Sequence, residues 1–231
     1  SEVCPEIREY ERLSTACANA YVQPIMARYL GALAECLRGH GLTCPLLMMM
    51  SSGGLTTLET AIRFPVRLVE SGPAGGAILA SRIAAERGLD RVLSFDMGGT
   101  TAKICLIDDG APQTARSFEV ARAYRFTKGS GLPLNIPVIK MVEIGAGGGS
   151  IARVDSLGRV RVGPDSAGAA PGPACYGGGG IDATVTDADL MLGRIDAAGF
   201  AGGDMPLAAG KAAEALGDSL GETLEVTPAL A

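Results

Sequence analysis

The sequence predicts an α/β fold built on a mixed sheet, and three observations carry that expectation. Residues 66–107, "VRLVESGPAGGAILASRIAAERGLDRVLSFDMGGTTAKICLI", read as strand, helix, strand, turn, strand, an order that lays a helix on a sheet. Apolar residues make up 47% of the 231 and charged residues 19%, enough to bury a real core. Twelve glycines fall within residues 145–180 with no period of three, which excludes a collagen-like repeat and leaves a flexible linker or an ordered site loop.

Taken in order, residues 6–38 carry apolar positions Ile7, Tyr10, Leu13, Cys17 and Ala20 at three- and four-residue spacing, the pattern of a helix. Pro24 is expected to kink or split it, and the Gly39–Gly41 stretch to end it, with His40 at its C-terminus. "CPLLMMM" (44–50) reads as a short strand buried on both faces, broken at "SSGG" and followed by a short helix over 57–63. The next strand is expected to end at Glu70. "SGP" then opens a helix over 73–87, with Pro73 in the first turn, where its missing N–H costs nothing. A buried strand at 91–96, a strand at 102–107 and a third near 114–123 follow. A hairpin, "SIARVDSLGRVRVG", lies inside the glycine-rich stretch, and helices are expected over 184–195 and 206–217. The chain thus divides into a helical segment with a short strand (1–65), a helix-and-loop sheet (66–124), a glycine-rich insertion (125–180) and an acidic helical tail (181–231).

Composition removes several function classes. The net charge is −5; residues 181–231 hold nine acidic and two basic residues, a net −7, which leaves about +2 for residues 1–180. Neither part has a basic stripe interleaved with aromatics, so no nucleic-acid partner is expected. No apolar run approaches the roughly 18 residues of a membrane span, and no membrane partner is expected. The charged start "SEVCPEIREY" is not a signal peptide, and six cysteines without a CxxC pair read as reduced thiols; together they point to a cytoplasmic protein. One histidine makes a zinc site a poor expectation.

The chemistry concentrates in "SFDMGGTTAKICLI" (94–107). Asp96 ends a strand, Gly98 and Gly99 let an anion approach backbone N–H groups closely, and Thr100 and Thr101 add hydroxyl donors. Such a turn holds a phosphate, and a hydrated Mg²⁺ beside it is ordered by Asp96. A tight hairpin with a capping aspartate is the alternative reading. "GAGGGS" (145–150), with Gly147 and Gly148, is the second candidate, facing substrate or nucleotide. Cys175 in "GPACYG" has no identifiable basic partner and reads as packing. Thr186, Asp187 and Asp189 read as a helix N-terminus, with a metal role as the lesser alternative.

The stretch from Glu70 to Ile107 resembles the connecting helix and second phosphate loop of the actin-like ATPases. "SSGG", "SGPAGG", "DMGGTTAK", "EIGAGGGSIARVD", "VGPDSAGAAPGPACYGGGG" and "TVTDADLMLGR", in that order, resemble the hydantoinase A/5-oxoprolinase/acetone carboxylase family over about residues 6–205. The resemblance implies an RNase H-like mixed sheet with flanking helices, one lobe of an actin-like ATPase, interrupted by a glycine-rich β-hairpin insertion. It implies ATP and Mg as cofactors, with Asp96 catalytic and metal-organising and with Gly98, Gly99, Thr100, Thr101, Gly147 and Gly148 at the nucleotide. The implied activity is ATP-dependent opening of a cyclic amide such as hydantoin or 5-oxoproline, with ATP-dependent ketone carboxylation as the alternative; both activate a carbonyl oxygen by phosphorylation. It also implies a B-type partner subunit. Lys103 stands where many members carry an aspartate. Only one D-x-G-G-T loop is present, so the chain is expected to be the central part of a larger protein and inactive by itself. A non-catalytic, nucleotide-gated interaction module is the reading from another class.

Overall fold

A computed structural model of the chain describes residues 2–121, 123 and 129–227. It is a mixed α/β structure of helices and small sheets. It divides into two units, residues 1–95 with 104–142, and residues 96–103 with 143–231.

The first unit opens with α1 (Glu9–Gly39), a single helix of 31 residues that runs through Pro24 without a break. Pro24 and Ala20 are both exposed, so water can solvate the Ala20 carbonyl that the proline ring leaves without a donor. The predicted split is therefore absent. Asn19, nearly buried on this helix, accepts from the Val66 N–H and donates to the Arg63 carbonyl. The "CPLLMMM" run forms only β1 (Leu47–Met49), paired antiparallel with β2 (Leu55–Thr57) in the register Leu47↔Thr57. This hairpin replaces the doubly buried strand expected there, because "SSGG" returns the chain at once to a polar partner strand. Thr57 caps α2 (Leu58–Arg63) by accepting from the Thr60 N–H.

The strand expected to end at Glu70 is replaced by a 3₁₀ turn. Pro65 presets a 3₁₀ turn over Pro65–Leu68, and Glu70 takes a left-handed backbone, φ 62°, before α3 (Ser71–Glu86). Ala74 and Ala77 of α3 pack on Cys105, Ile107 and Ile139, whereas a Cβ on Gly72 or Gly76 would meet nothing within 4 Å. β3 (Arg91–Met97) and β4 (Ala102–Asp108) follow. β5 (Ala111–Pro112) pairs with β4, and the predicted third strand is divided between β6 (Thr114–Ala115) and β7 (Phe118–Val120). Residue 122 of that expectation lies outside the described residues. β8 (Leu132–Leu134) pairs with β7 and β9 (Val138–Ile139) with β6, both antiparallel. β10 (Val142–Ile144) lies beside β4 in a sheet ordered β10–β4–β3. β3 is not the buried strand expected: Leu93 and Phe95 are more than half exposed, and the inward residues are Val92 and Ser94. Alternation across the pleat covers one face of β3 and leaves the other bare.

The second unit contains β11 (Ser150–Val154) and β12 (Val160–Ser166), antiparallel arms of a hairpin. α4 (Val185–Met191) begins in a reciprocal capping box between Thr184 and Asp187. α5 (Ala209–Leu216) passes through a π-type turn into α6 (Glu222–Leu224). Ala152, Ala174, Ala183, Ala215, Leu216 and Leu220 form its core, consistent with a chain poor in aromatics. Among the described residues no helix is long and apolar enough to cross a membrane, and none of the six cysteines is in a disulfide.

Candidate functional site

The 96–101 stretch belongs to the second unit, with the glycine-rich residues 145–149. Met97 ends β3 and Ala102 begins β4, so the reversal is made by Gly98, Gly99, Thr100 and Thr101, closed by the Gly98 N–H donating to the Thr101 carbonyl at 2.9 Å. Asp96 is exposed, one residue before the end of β3, rather than held in a buried strand.

Three of the four carbonyls of this turn, those of Gly98, Gly99 and Thr101, are occupied from within the unit. The Gly98 carbonyl accepts from the Gly148 N–H at 2.9 Å, and the Gly99 carbonyl from the Gly149 N–H at 2.7 Å. The donors are not. Among the described residues, the N–H groups of Gly99, Thr100 and Thr101 and both threonine hydroxyls find no hydrogen-bond acceptor. The turn is exposed or half-exposed throughout, so these donors face water rather than paying the cost of burial. Such a concentration of backbone N–H groups has the donor chemistry an anion site requires.

Behind the turn, residues 147–149 are tied down on every backbone group. The Gly147 N–H donates to Ser150 Oγ at 2.9 Å and its carbonyl accepts from the Ser150 N–H. The Gly148 carbonyl accepts from the Thr186 N–H at 2.8 Å, and the Gly149 carbonyl from the Ala167 N–H at 2.8 Å. The glycines are required by contact: a Cβ on Gly147 would stand 2.6 Å from the Gly98 carbonyl oxygen and from Thr100 N. The sequence placed both loops at one site; the count of glycines held no sign that one loop is the backing of the other.

Asp187 joins this backing to the "GPACYG" block. Wholly buried, its carboxylate accepts from Thr184 Oγ1 at 2.7 Å, the Thr184 N–H at 3.0 Å, the Cys175 N–H at 2.8 Å and the Ala174 N–H at 3.3 Å. Four donors saturate the carboxylate, which is why it is a structural cap and not a cation ligand. Cys175, also wholly buried, has its thiol pushed up to about 12 by burial first and then by the Asp187 carboxylate, so it is not a nucleophile. Tyr176 is shifted upward by burial as well. Its ring packs on Phe200 with centroids 5.6 Å apart. Sequence reasoning recognised Asp187 as a helix start but not as the anchor of "GPACYG"; the capping spacing Thr184–Asp187 was its only local sign.

Among the described residues no group of three or more His, Cys, Asp or Glu side chains is placed to hold a metal ion. A single carboxylate beside free N–H donors does fit Mg²⁺, an ion typically held by one or two carboxylates together with phosphate oxygens and waters.

Residues 12–230 match the Hydantoinase/oxoprolinase family. The chain belongs to that family. It is 38% identical over 226 residues to the caprolactamase subunit alpha of Pseudomonas jessenii, covering 98% of this chain and 31% of that protein. It is 35% identical over 226 residues to the acetophenone carboxylase gamma subunit of Aromatoleum aromaticum, covering 97% of this chain and 29% of that one. Among solved structures, a nucleotide-free acetone carboxylase shares the fold with a TM-score of 0.74 at 24% identity, over 97% of this chain and 30% of that one. The ATP-dependent caprolactamase of Pseudomonas jessenii superposes with a TM-score of 0.65 at 34% identity, over 99% and 32%. The chain thus spans about a third of the length of these relatives.

Proposed function

We propose that this chain supplies the phosphate-gripping turn of an ATP-dependent enzyme that activates a carbonyl oxygen, with a cyclic amide as the substrate class. The observation that carries the reading is the polarity of the 98–101 turn: its Gly98, Gly99 and Thr101 carbonyls are used inside the unit, while three successive N–H groups and two hydroxyls have no acceptor among the described residues. The N–H groups of Gly99, Thr100 and Thr101 and the threonine hydroxyls hold phosphate oxygens, with no side-chain rearrangement at the backbone donors. Asp96 orders the waters of a Mg²⁺ beside them. ATP, when bound, supplies the phosphoryl group that turns the carbonyl oxygen into a leaving group. We read the sheet and α3 as part of one lobe of an actin-like ATPase, with α3 as the connecting helix.

The name of the caprolactamase subunit supports the cyclic-amide class. Ketone carboxylation is the second reading, favoured by the near-equal identity to the acetophenone carboxylase subunit. Both relatives are named as subunits, which supports a partner chain for this protein also.

The test is Asp96→Asn in the assembled enzyme. Size and most hydrogen-bonding capacity are kept, so the turn folds; the charge that holds the hydrated ion is lost. ATP-coupled turnover is expected to fall at least about 10²-fold in kcat, near 2.7 kcal/mol, with the melting temperature little changed. Near-normal turnover per folded molecule would leave Asp96 a hairpin residue and defeat the assignment.

A further inference from the structure

We infer that Gly147 is a positioning residue for the 98–101 turn, and that residues 147–149 set the shape of the turn without themselves touching the nucleotide. This rests on the reading of that turn as the phosphate grip. A glycine-rich loop beside a phosphate loop suggests a second set of anion donors, but the hydrogen bonds exclude that use here. The three N–H groups of Gly147, Gly148 and Gly149 donate to Ser150 Oγ, the Gly98 carbonyl and the Gly99 carbonyl. Their three carbonyls accept from the N–H groups of Ser150, Thr186 and Ala167. No backbone donor remains for a phosphate oxygen.

What the stretch does instead follows from what it pairs with. By taking the Gly98 and Gly99 carbonyls, it engages these two acceptors of the 98–101 turn in its own ladder, while the N–H groups of Gly99, Thr100 and Thr101 have no acceptor among the described residues. A phosphate meeting that turn therefore finds the Gly98 and Gly99 carbonyl oxygens already engaged. The geometry also makes the fit unforgiving at one position. A Cβ on Gly147 would lie 2.6 Å from the Gly98 carbonyl oxygen, Thr100 N and Thr100 C, all backbone atoms of the turn, so the turn itself must move. At Gly148 the same atom would meet the Thr186 hydroxyl, 2.7 Å away, on a side chain.

The Thr186 N–H, which holds the Gly148 carbonyl, belongs to the first turn of α4, and Asp187 beside it binds the Cys175 and Ala174 N–H groups. The route from "GPACYG" to the 98–101 turn is thus a series of hydrogen bonds through the Asp187 carboxylate, the adjoining Thr186 N–H and the backbone of Gly148. That gives the block a task in shaping the site, with no chemistry assigned to the Cys175 thiol.

The experiment compares three variants in the assembled enzyme, with ATP and the organic substrate varied separately. Gly147→Ala is expected to raise KM for ATP at least tenfold while KM for the organic substrate stays within twofold. Gly221→Ala is the steric control: its Cβ would stand 3.0 Å from the Val226 carbonyl oxygen in the same unit. It is expected to lower the melting temperature as Gly147→Ala does, with KM for ATP unchanged. Should Gly147→Ala yield no folded protein, Gly149→Ala takes its place, since its Cβ would meet the Gly99 carbonyl oxygen at a milder 3.1 Å; a threefold or greater rise in KM for ATP is expected. An unchanged KM for ATP in the folded glycine variant, or an equal rise in Gly221→Ala, overturns the inference. The third variant, Asp96→Asn, separates the two failures. If it loses turnover while the glycine variant keeps its KM for ATP, only the positioning role falls. If Asp96→Asn retains turnover, the phosphate-grip reading falls and takes the positioning role with it.

Discussion

Replacing Asp187 by asparagine is a severe perturbation that the structure makes calculable. The carboxylate is wholly buried and accepts four hydrogen bonds, from Thr184 Oγ1 and from the N–H groups of Thr184, Cys175 and Ala174. Oδ2 accepts three of these bonds and Oδ1 only the one from the Cys175 N–H, so asparagine with its NH₂ in the place of Oδ1 sets that one donor against a donor and leaves the other three on a neutral oxygen. A hydrogen bond to a charged acceptor contributes about 1.5–3 kcal/mol and roughly twice a neutral one, so losing one and weakening three predicts a loss of about 3 kcal/mol or more. For a chain of this size that is a fall in melting temperature of the order of 10 °C. The neighbouring Asp189 provides the contrast. Its carboxylate pairs with Arg194 at 3.0 Å in a largely solvent-facing ion pair, so Asp189→Asn is expected to cost less than about 1 kcal/mol. Urea titration of both variants, followed by circular dichroism, is the assay. A loss below about 1 kcal/mol for Asp187→Asn, or equal losses for the two, would refute the saturated-cap account and reopen a role for Asp187 in binding a cation.

The remaining predictions concern titration and reactivity. Under native conditions near pH 8, iodoacetamide is expected to modify the exposed Cys17, Cys36 and Cys44 and to spare Cys4, Cys105 and Cys175, with mass spectrometry counting the adducts; rapid native labelling of Cys175 would contradict its burial and its raised pKa. Asp155, in the turn between β11 and β12, has its carboxyl held well below the usual range, first by the Arg159 N–H and next by the Arg161 side chain. A depressed carboxyl stabilises the fold above the unfolded value of about 3.9 and loses that contribution as pH falls below it. A carbon-detected NMR titration should therefore find Asp155 protonating below pH 3.9, and a midpoint at or above that value would refute the account.

How much of this was legible in the sequence depends on how far each cause lies along the chain. The reversal at 98–101, the start of α3 at "SGP" and the capping pair Thr184–Asp187 are set by residues within four positions of one another, and all were readable as turn or helix signals. The errors share another cause. β3 was expected to be buried because it is apolar, yet Leu93 and Phe95 are exposed; burial depends on what covers a face, which the strand itself does not encode. Pro24 was expected to break α1, and the outcome turned on its facing solvent, again set by distant packing.

The glycines show the distinction most sharply, because one residue type serves unrelated purposes within a few positions. Gly158 and Gly163 have positive φ, 72° and 69°, and Gly158 sits in the turn of the hairpin, where its left-handed backbone suits glycine. Gly147 has no such backbone demand and is needed because residues almost fifty positions earlier in the chain pass within contact distance of it. Composition reports these as the same signal. Only the partner of each glycine separates a turn, which a neighbouring Asn can replace, from a close approach between two backbones, which no side chain tolerates. The same separation explains why the candidate site was found as a pair of loops while the division of labour between them was not. Donors free of acceptors lie on 99–101, and the backbone that consumes the competing carbonyls lies on 148–149, so neither segment carries the property of the pair.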